Sequence, residues 1–310
     1  MNKIDSKLEQ IRNEGRIGLM GHIIAGFPDI ESSYQAAMGI VEGGIDFMEI
    51  QIPFSDPTAD GPTIEGACYK ALASGFKVKD GFALLRKITS SCEIPVLIMT
   101  YGNIVYKYGV QKFIEDVKNN GGAGVIIPDI PVESDENLNK YCRDNDIKNI
   151  MICAPTTTDQ RLKKLSSRGT GFIYTILREG TTGAITNITE QSIERIQKIK
   201  SICKLPIAVG FGIRSSEQIK ALKGHADIAI AGSYFVKVIE EVTDKPVIKT
   251  DDEMAKTEKQ QQSSSSKSSN KSSTKSSTKK STKNSDTKST KASKSDLQLS
   301  LKKATESLKN

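Results

Sequence analysis

The chain has 310 residues, a net charge of +7, five cysteines and two histidines, with 37% hydrophobic and 26% charged residues. The net positive charge lies in residues 251–310, so the body of the chain is close to neutral and gives no electrostatic reason to expect nucleic-acid binding. Cys68, Cys92, Cys142, Cys153 and Cys203 are widely spaced with no CxxC pattern, which argues against a disulfide framework or a zinc site. The amino-terminal residues lack the apolar core of a signal peptide and no apolar run approaches ~18 residues, so a soluble, cytoplasmic protein is expected.

A helix is predicted at Lys3–Arg12, with Ile4, Leu8 and Ile11 on one face, placed to plug the bottom of a barrel. Short apolar, β-branched runs then recur: Gly18–Ala25, Phe47–Ile52, Val96–Tyr101, Val125–Asp129, Ile150–Ala154, Phe172–Leu177, Ile207–Ile213 and Ile228–Ser233. Between them, Glu31–Val41, Thr63–Ser74, Phe82–Ile88, Val110–Lys118, Asp135–Arg143, Gln160–Leu165, Glu190–Ile202 and Glu217–Leu222 read as amphipathic helices. Pro62 suits a first helical position, Gly75 a stop, and Thr157 with Gln160 a capping box. Near-continuous apolar strands alternating with helices mean a parallel sheet buried on both faces. Eight such units favour a closed (β/α)8 TIM barrel over an open doubly wound sheet, with residues 1–250 as the catalytic domain.

From Glu258 to Ser295 the only apolar residue is Ala292, and Ser, Thr and Lys dominate. Residues 251–295 are expected to form a disordered tail, because they cannot bury enough surface to offset chain entropy. At 296–310, Leu297, Leu301, Ala304 and Leu308 share one face of a short amphipathic helix, with Ser295 and Gln298 as a capping box. A helix on a loose end is the plainer reading; a docking helix is the sharper one.

Glu49 leads the candidates for chemistry. It stands near the end of the second strand, where barrel active sites lie, and it shares a face with Gln51. A carboxyl facing into the barrel suits a general acid; a buried Glu paired with a neighbouring donor is the alternative. Asp60, in Ala59-Asp60-Gly61-Pro62, reads in isolation as a turn or cap aspartate, and its pairing with Glu49 across a short loop favours catalysis. Three glycine-bearing segments suit a phosphate: Gly210-Phe211-Gly212 after strand seven, Gly232-Ser233 after strand eight, and Gly180-Thr181-Thr182-Gly183 after strand six. Tyr174 reads by itself as core packing, Arg178 and Glu179 as a solvated pair, and His22 as a satisfied core histidine rather than a ligand.

The run Pro53-Phe54-Ser55-Asp56-Pro57 to Ala59-Asp60-Gly61-Pro62-Thr63-Ile64 resembles the signature of the tryptophan synthase alpha subunit family. The likeness extends through Gly26-Phe27-Pro28, Met99–Asn103, Pro128–Pro131, Ala154–Thr157 and Arg178–Gly183 to Gly210–Ile213, over about residues 5–245. It implies the same barrel and the retro-aldol cleavage of indole-3-glycerol phosphate to indole and glyceraldehyde 3-phosphate. On that reading Glu49 protonates the indole ring and assists proton removal from the side-chain hydroxyl. Asp60 holds the ring N–H, and Tyr174 positions Glu49. Thr182 fastens the strand-six loop through Asp60, and Phe211 lines the pocket. Gly183, Gly212, Gly232 and Ser233 hold the phosphate. The resemblance implies no metal or organic cofactor in this chain. It also implies a pyridoxal-phosphate beta subunit as partner in an αββα tetramer, faced by Pro53, Asp56 and Asn103.

Three residues depart from the family pattern. Gln51 stands where glycine is usual, and Leu177 and Glu179 replace the usual serine and small residue flanking Arg178. These bear on affinity and rate more than on reaction type. The alternatives are another phosphosugar barrel, which lacks this spacing of Glu49 and Asp60, and a weakly active alpha-like subunit that mainly activates its beta partner. The basic tail has no aromatic residue for stacking on bases, so any contact with nucleic acid is expected to be non-specific.

Overall fold

Eight short parallel strands close on themselves in sequence order, each paired with the next and the last with the first. The computed structural model describes residues 1–177, 188–210, 212–244 and 293–310. The strands are β1 (Gly18–Ile24), β2 (Phe47–Gln51), β3 (Val96–Met99), β4 (Gly124–Ile126), β5 (Lys148–Cys153), β6 (Ile173–Ile176), β7 (Ile207–Gly210) and β8 (Ile228–Ala231). This is the (β/α)8 TIM barrel that the spacing of apolar runs predicts. Around it run α1 (Lys3–Asn13), α2 (Ile30–Glu42), α3 (Pro62–Ala73), α4 (Val78–Thr89), α5 (Gly102–Tyr108), α6 (Val110–Asn119), α7 (Leu138–Asp144), α8 (Asp159–Arg168), α9 (Glu190–Ile202), α10 (Ser216–Leu222), α11 (Gly232–Asp244) and α12 (Lys294–Lys309). Among the described residues no helix is long and apolar enough to cross a membrane.

Alternation along the strands creates two apolar layers. Met20, Phe47, Leu97, Ile126, Ile150, Phe172, Ala208 and Ile228 fill the barrel's interior, and Ile4, Leu8 and Ile11 of α1 join them from below. The outward side chains pack under the helices in a larger cluster. Fully burying each such side chain is worth about 1.5–3 kcal/mol, so the strands are held from both faces. Local punctuation differs slightly from expectation. Thr158, not Thr157, caps α8 by accepting from the Arg161 N–H, while Thr157 turns back to accept from Ala154 N. The short α5 has no counterpart among the predicted helices.

The last helix is where structure and sequence reading diverge most. α12 is not a loose end: it lies against α2 and α10, the helices that follow β1 and β7, and so fills the eighth place in the outer ring. Leu297, Leu301, Thr305 and Leu308 are its buried face. Its capping box is Ser293 with Asp296, two residues before the predicted pair. Residues 1–243 and 293–310 form one compact unit, so the helix belongs to the barrel although residues 244–292 stand between them in sequence. The groove on α2 is made by two glycines one turn apart. A methyl group on Gly39 would overlap the Gln298 carbonyl, and one on Gly43 would overlap the Thr305 side chain. Backbone-to-backbone approach of this kind requires the missing Cβ.

Candidate active site

β1 and β2 run side by side with His22 opposite Glu49 and Ile24 opposite Gln51. Strand alternation sends His22, Glu49 and Gln51 to the inner face, above the Met20 and Phe47 layer. Their residual exposures are 4%, 3% and 0%. The His22 ring meets the carboxylate through Nδ1 and Glu49 Oε1, 3.3 Å apart. Burial alone would lower the His22 pKa, but the Glu49 carboxylate against the ring, with Asp60 beyond it, raises it above the ordinary value.

Asp60 arrives from the loop between β2 and α3 and is partly buried. Two donors converge on its Oδ2: Gln51 Nε2 at 2.7 Å and the Tyr101 hydroxyl at 2.9 Å. The Tyr101 oxygen also accepts from Ala59 N at 3.1 Å, and its ring stacks on Phe54 with centroids 5.4 Å apart. Tyr101, at the end of β3, therefore fixes the loop's shape from both sides of Asp60. Burial raises the Asp60 pKa, against the pull of the Gln51 and Tyr101 donors. Beneath this cluster, desolvation pushes the Cys68 thiol up to about 12, which keeps it neutral.

Tyr174 of β6 faces inward from the far wall, over Gly210, where a Cβ would lie 2.9 Å from its ring. Burial first, then the Glu49 and Asp60 charges, hold its hydroxyl well above the usual tyrosine range. No hydrogen bond joins Tyr174 to Glu49 among the described residues. On the phosphate side, Gly212 takes a positive φ of 67°, and Gly232 and the buried Ser233 open α11 directly from β8. A helix amino terminus at a barrel mouth favours an anion. Gly183, Thr182 and Phe211, with Arg178 and Glu179, lie outside the described residues. Leu177 packs against the outer apolar cluster rather than into the barrel. Asp56 and Asn103 are exposed on the rim, whereas Pro53 is buried.

Three buried polar atoms on one wall have no hydrogen-bond partner among the described residues: His22 Nε2, Glu49 Oε2 and Gln51 Oε1. Each unsatisfied buried group costs roughly 1–3 kcal/mol. A core built for stability alone would not gather them; a site that takes a polar ligand would. Sequence reasoning missed two members of this cluster. Tyr101 lies within the matched Met99–Asn103 segment but is given no role there, and His22 acquires its partner only through the β1–β2 register.

The comparisons agree with this geometry. Residues 8–268 match the family model for the tryptophan synthase alpha chain. The tryptophan synthase alpha chain of Helicobacter hepaticus is 44% identical over 244 residues, covering 77% of this chain and 91% of that protein. Among solved structures, tryptophan synthase from Mycobacterium tuberculosis superposes with a TM-score of 0.72 at 31% identity, covering 77% of this chain and 92% of that one. A chain of the tryptophan synthase complex from Pyrococcus furiosus gives a TM-score of 0.67 at 32% identity, covering 73% and 90%. With the barrel, the inward carboxylate on β2 and the extended sequence match in agreement, the chain belongs to the tryptophan synthase alpha chain family, a family of carbon–carbon lyases of tryptophan biosynthesis.

Proposed function

We propose that this chain cleaves indole-3-glycerol phosphate by a retro-aldol reaction, releasing indole and glyceraldehyde 3-phosphate. The observation that carries the reading is the pair of differently held carboxylates at the barrel mouth: Glu49 buried on the inner wall, and Asp60 clamped through one oxygen. Glu49, carrying a proton, gives it to C3 of the indole ring. Asp60 Oδ1, which no described residue engages, accepts from the ring N–H, and its negative charge stabilises the cation so formed. The bond between C3 and the glycerol carbon then breaks, and its electron pair restores the aromatic ring. Glu49, now a carboxylate, takes the proton of the hydroxyl that becomes the aldehyde. Tyr174 closes the far wall and shapes the space beside Glu49. The phosphate rests on the backbone of Gly212 and the start of α11 at Gly232 and Ser233, completed by Gly183. The family resemblance assigns Thr182 to fastening the strand-six loop through Asp60 and Phe211 to lining the pocket.

Side chains supply every proton in this scheme, so no cofactor is assigned to this chain. The indole passes to a beta subunit, whose pyridoxal phosphate serves its condensation with serine in an αββα tetramer. Asp56 and Asn103 are exposed on the rim where such a partner docks, with Pro53 shaping the loop beneath. The test is indole release from indole-3-glycerol phosphate by the full chain, with and without added beta subunit. Release by the wild type, increased by the beta subunit and lost in Glu49→Gln, is the expected result. Equal release by the two proteins, or none from either, sinks the reading.

A further inference from the structure

His22 has no role in the reaction as described, yet its ring lies 3.3 Å from the Glu49 carboxylate. We propose that His22 and Glu49 form a proton-sharing pair, in which His22 is the positioning residue that holds the working proton next to Glu49 between turnovers. This rests on the cleavage reading above.

The register places the two residues opposite one another on adjacent strands, so their closeness is set by the barrel and not by a mobile loop. Both side chains are about 4% exposed, and their near atoms are 3.3 Å apart. A lone carboxylate at such a depth carries a large desolvation cost, and so does a lone imidazolium. One proton shared between them keeps the pair neutral overall, whether it sits on Nδ1 or on Oε1. The charges that act on His22 are those of Glu49 on β2 and Asp60 in the following loop. Among the described residues the remaining neighbours are neutral: Gln51, Tyr101 and Tyr174 around the two acids, and from α11 the backbone of Gly232, where a Cβ would lie 3.8 Å from that of His22.

The proton count closes. The pair begins with one proton, loses it from Glu49 to ring C3, and regains one from the substrate hydroxyl when the carbon–carbon bond breaks. The imidazole emerges unchanged. Its contribution is that Glu49, in the instant it is ionised, faces a ring able to receive the returning proton rather than an apolar wall. His22 Nε2 and Glu49 Oε2 are both buried and have no hydrogen-bond partner among the described residues, so each group keeps one polar atom uncommitted.

With only two histidines in the chain, the pairing can be read directly by nitrogen-resolved NMR of the imidazoles. In Glu49→Gln the titration midpoint of His22 falls by about one pH unit or more, because the neighbouring anion is gone, while that of His225 stays in place. In turnover, His22→Gln lowers kcat by roughly tenfold or more, with KM little changed. It also moves the alkaline limb of kcat/KM to lower pH, since the pair no longer has an imidazole to retain its proton. An unmoved His22 midpoint in Glu49→Gln, or a wild-type pH profile in His22→Gln, overturns the proposal. If the wild type releases no indole, the cleavage reading falls, and the NMR titration still decides the pairing.

Discussion

The wall formed by β1 and β2 and the seam between α2 and α12 are both buried, and they are built on opposite terms. The wall gathers an imidazole, two carboxylates and an amide, and leaves three polar atoms without partners among the described residues. The seam gathers Leu297, Leu301 and Leu308 over Gly39 and Gly43, and the buried hydroxyl of Thr305 donates to the Leu301 carbonyl at 2.8 Å. On the proposed function, one region gives up stability to hold reactive groups ready. The other supplies stability and touches no part of the chemistry. Buried position alone therefore says little about role; the state of the polar atoms says a great deal.

Substitutions that affect rate but not folding, or the reverse, are the way to break that contrast. The largest effect is expected of Glu49→Gln, which should cut indole release by roughly 10³-fold, within the usual range for a general acid or base, while the melting temperature is held or raised. A large fall in melting temperature would place Glu49 among the structural residues instead. Leu301→Ala is the converse: a loss of about 2–5 kcal/mol in denaturant unfolding, with the kcat of the folded fraction unchanged. Gln51→Leu keeps volume and removes the donor to Asp60; a hydrogen bond to a charged group is worth about 1.5–3 kcal/mol, so kcat/KM should fall roughly 10–100-fold.

A subtler change is expected of Tyr101→Phe. Its hydroxyl holds the Asp60 pKa down against burial, so removing it lets that pKa rise further. Asp60 then loses its charge at a higher pH, and the acid limb of the kcat profile shifts upward. The stability linkage has a definite sign too. Folding raises the Asp60 pKa, so the ionised form costs stability that is recovered as pH falls through the folded value. Asp60→Asn should accordingly be less active yet more stable at neutral pH, and a thermal melt checks it. The smallest effect belongs to Gln298→Ala, at the polar rim of the seam, where the exposed bond to Glu42 is lost; a change within about 0.5 kcal/mol is expected. A larger loss there would mean that the seam is held by its rim.

Much of the barrel is legible in the chain because each strand is a short apolar run whose burial on two faces leaves it no other use. Glu49 and Asp60 are legible for a related reason: an acid inside such a run, followed by another in a proline-rich loop, has few structural explanations. Other features depend on distant partners. His22 reads as core until the closed sheet sets it against Glu49, and Gln51 reads as an intrusion until Asp60 is seen to accept its amide hydrogen. Tyr101 looks like one more apolar strand residue, although its hydroxyl organises the loop 41 residues earlier. The place of α12 is the least legible of all. Its leucines show an amphipathic helix, but the glycines that receive it lie in α2 and at its C-cap, across a Ser/Thr/Lys-rich stretch that carries no packing signal. Truncation near Thr250, the obvious way to ask what that stretch binds, would also strip the barrel of a helix.

The seam between α2 and α12 also sets a schedule. Gln298 and the Glu42 that it reaches are 256 positions apart, so the glycine groove is translated long before its cover exists. Until residues 293–310 have been made, the nascent barrel carries an open apolar slot on its flank, and the ring cannot close before then. That interval is when a folding helper, or a second unfinished chain, would find this protein most adhesive.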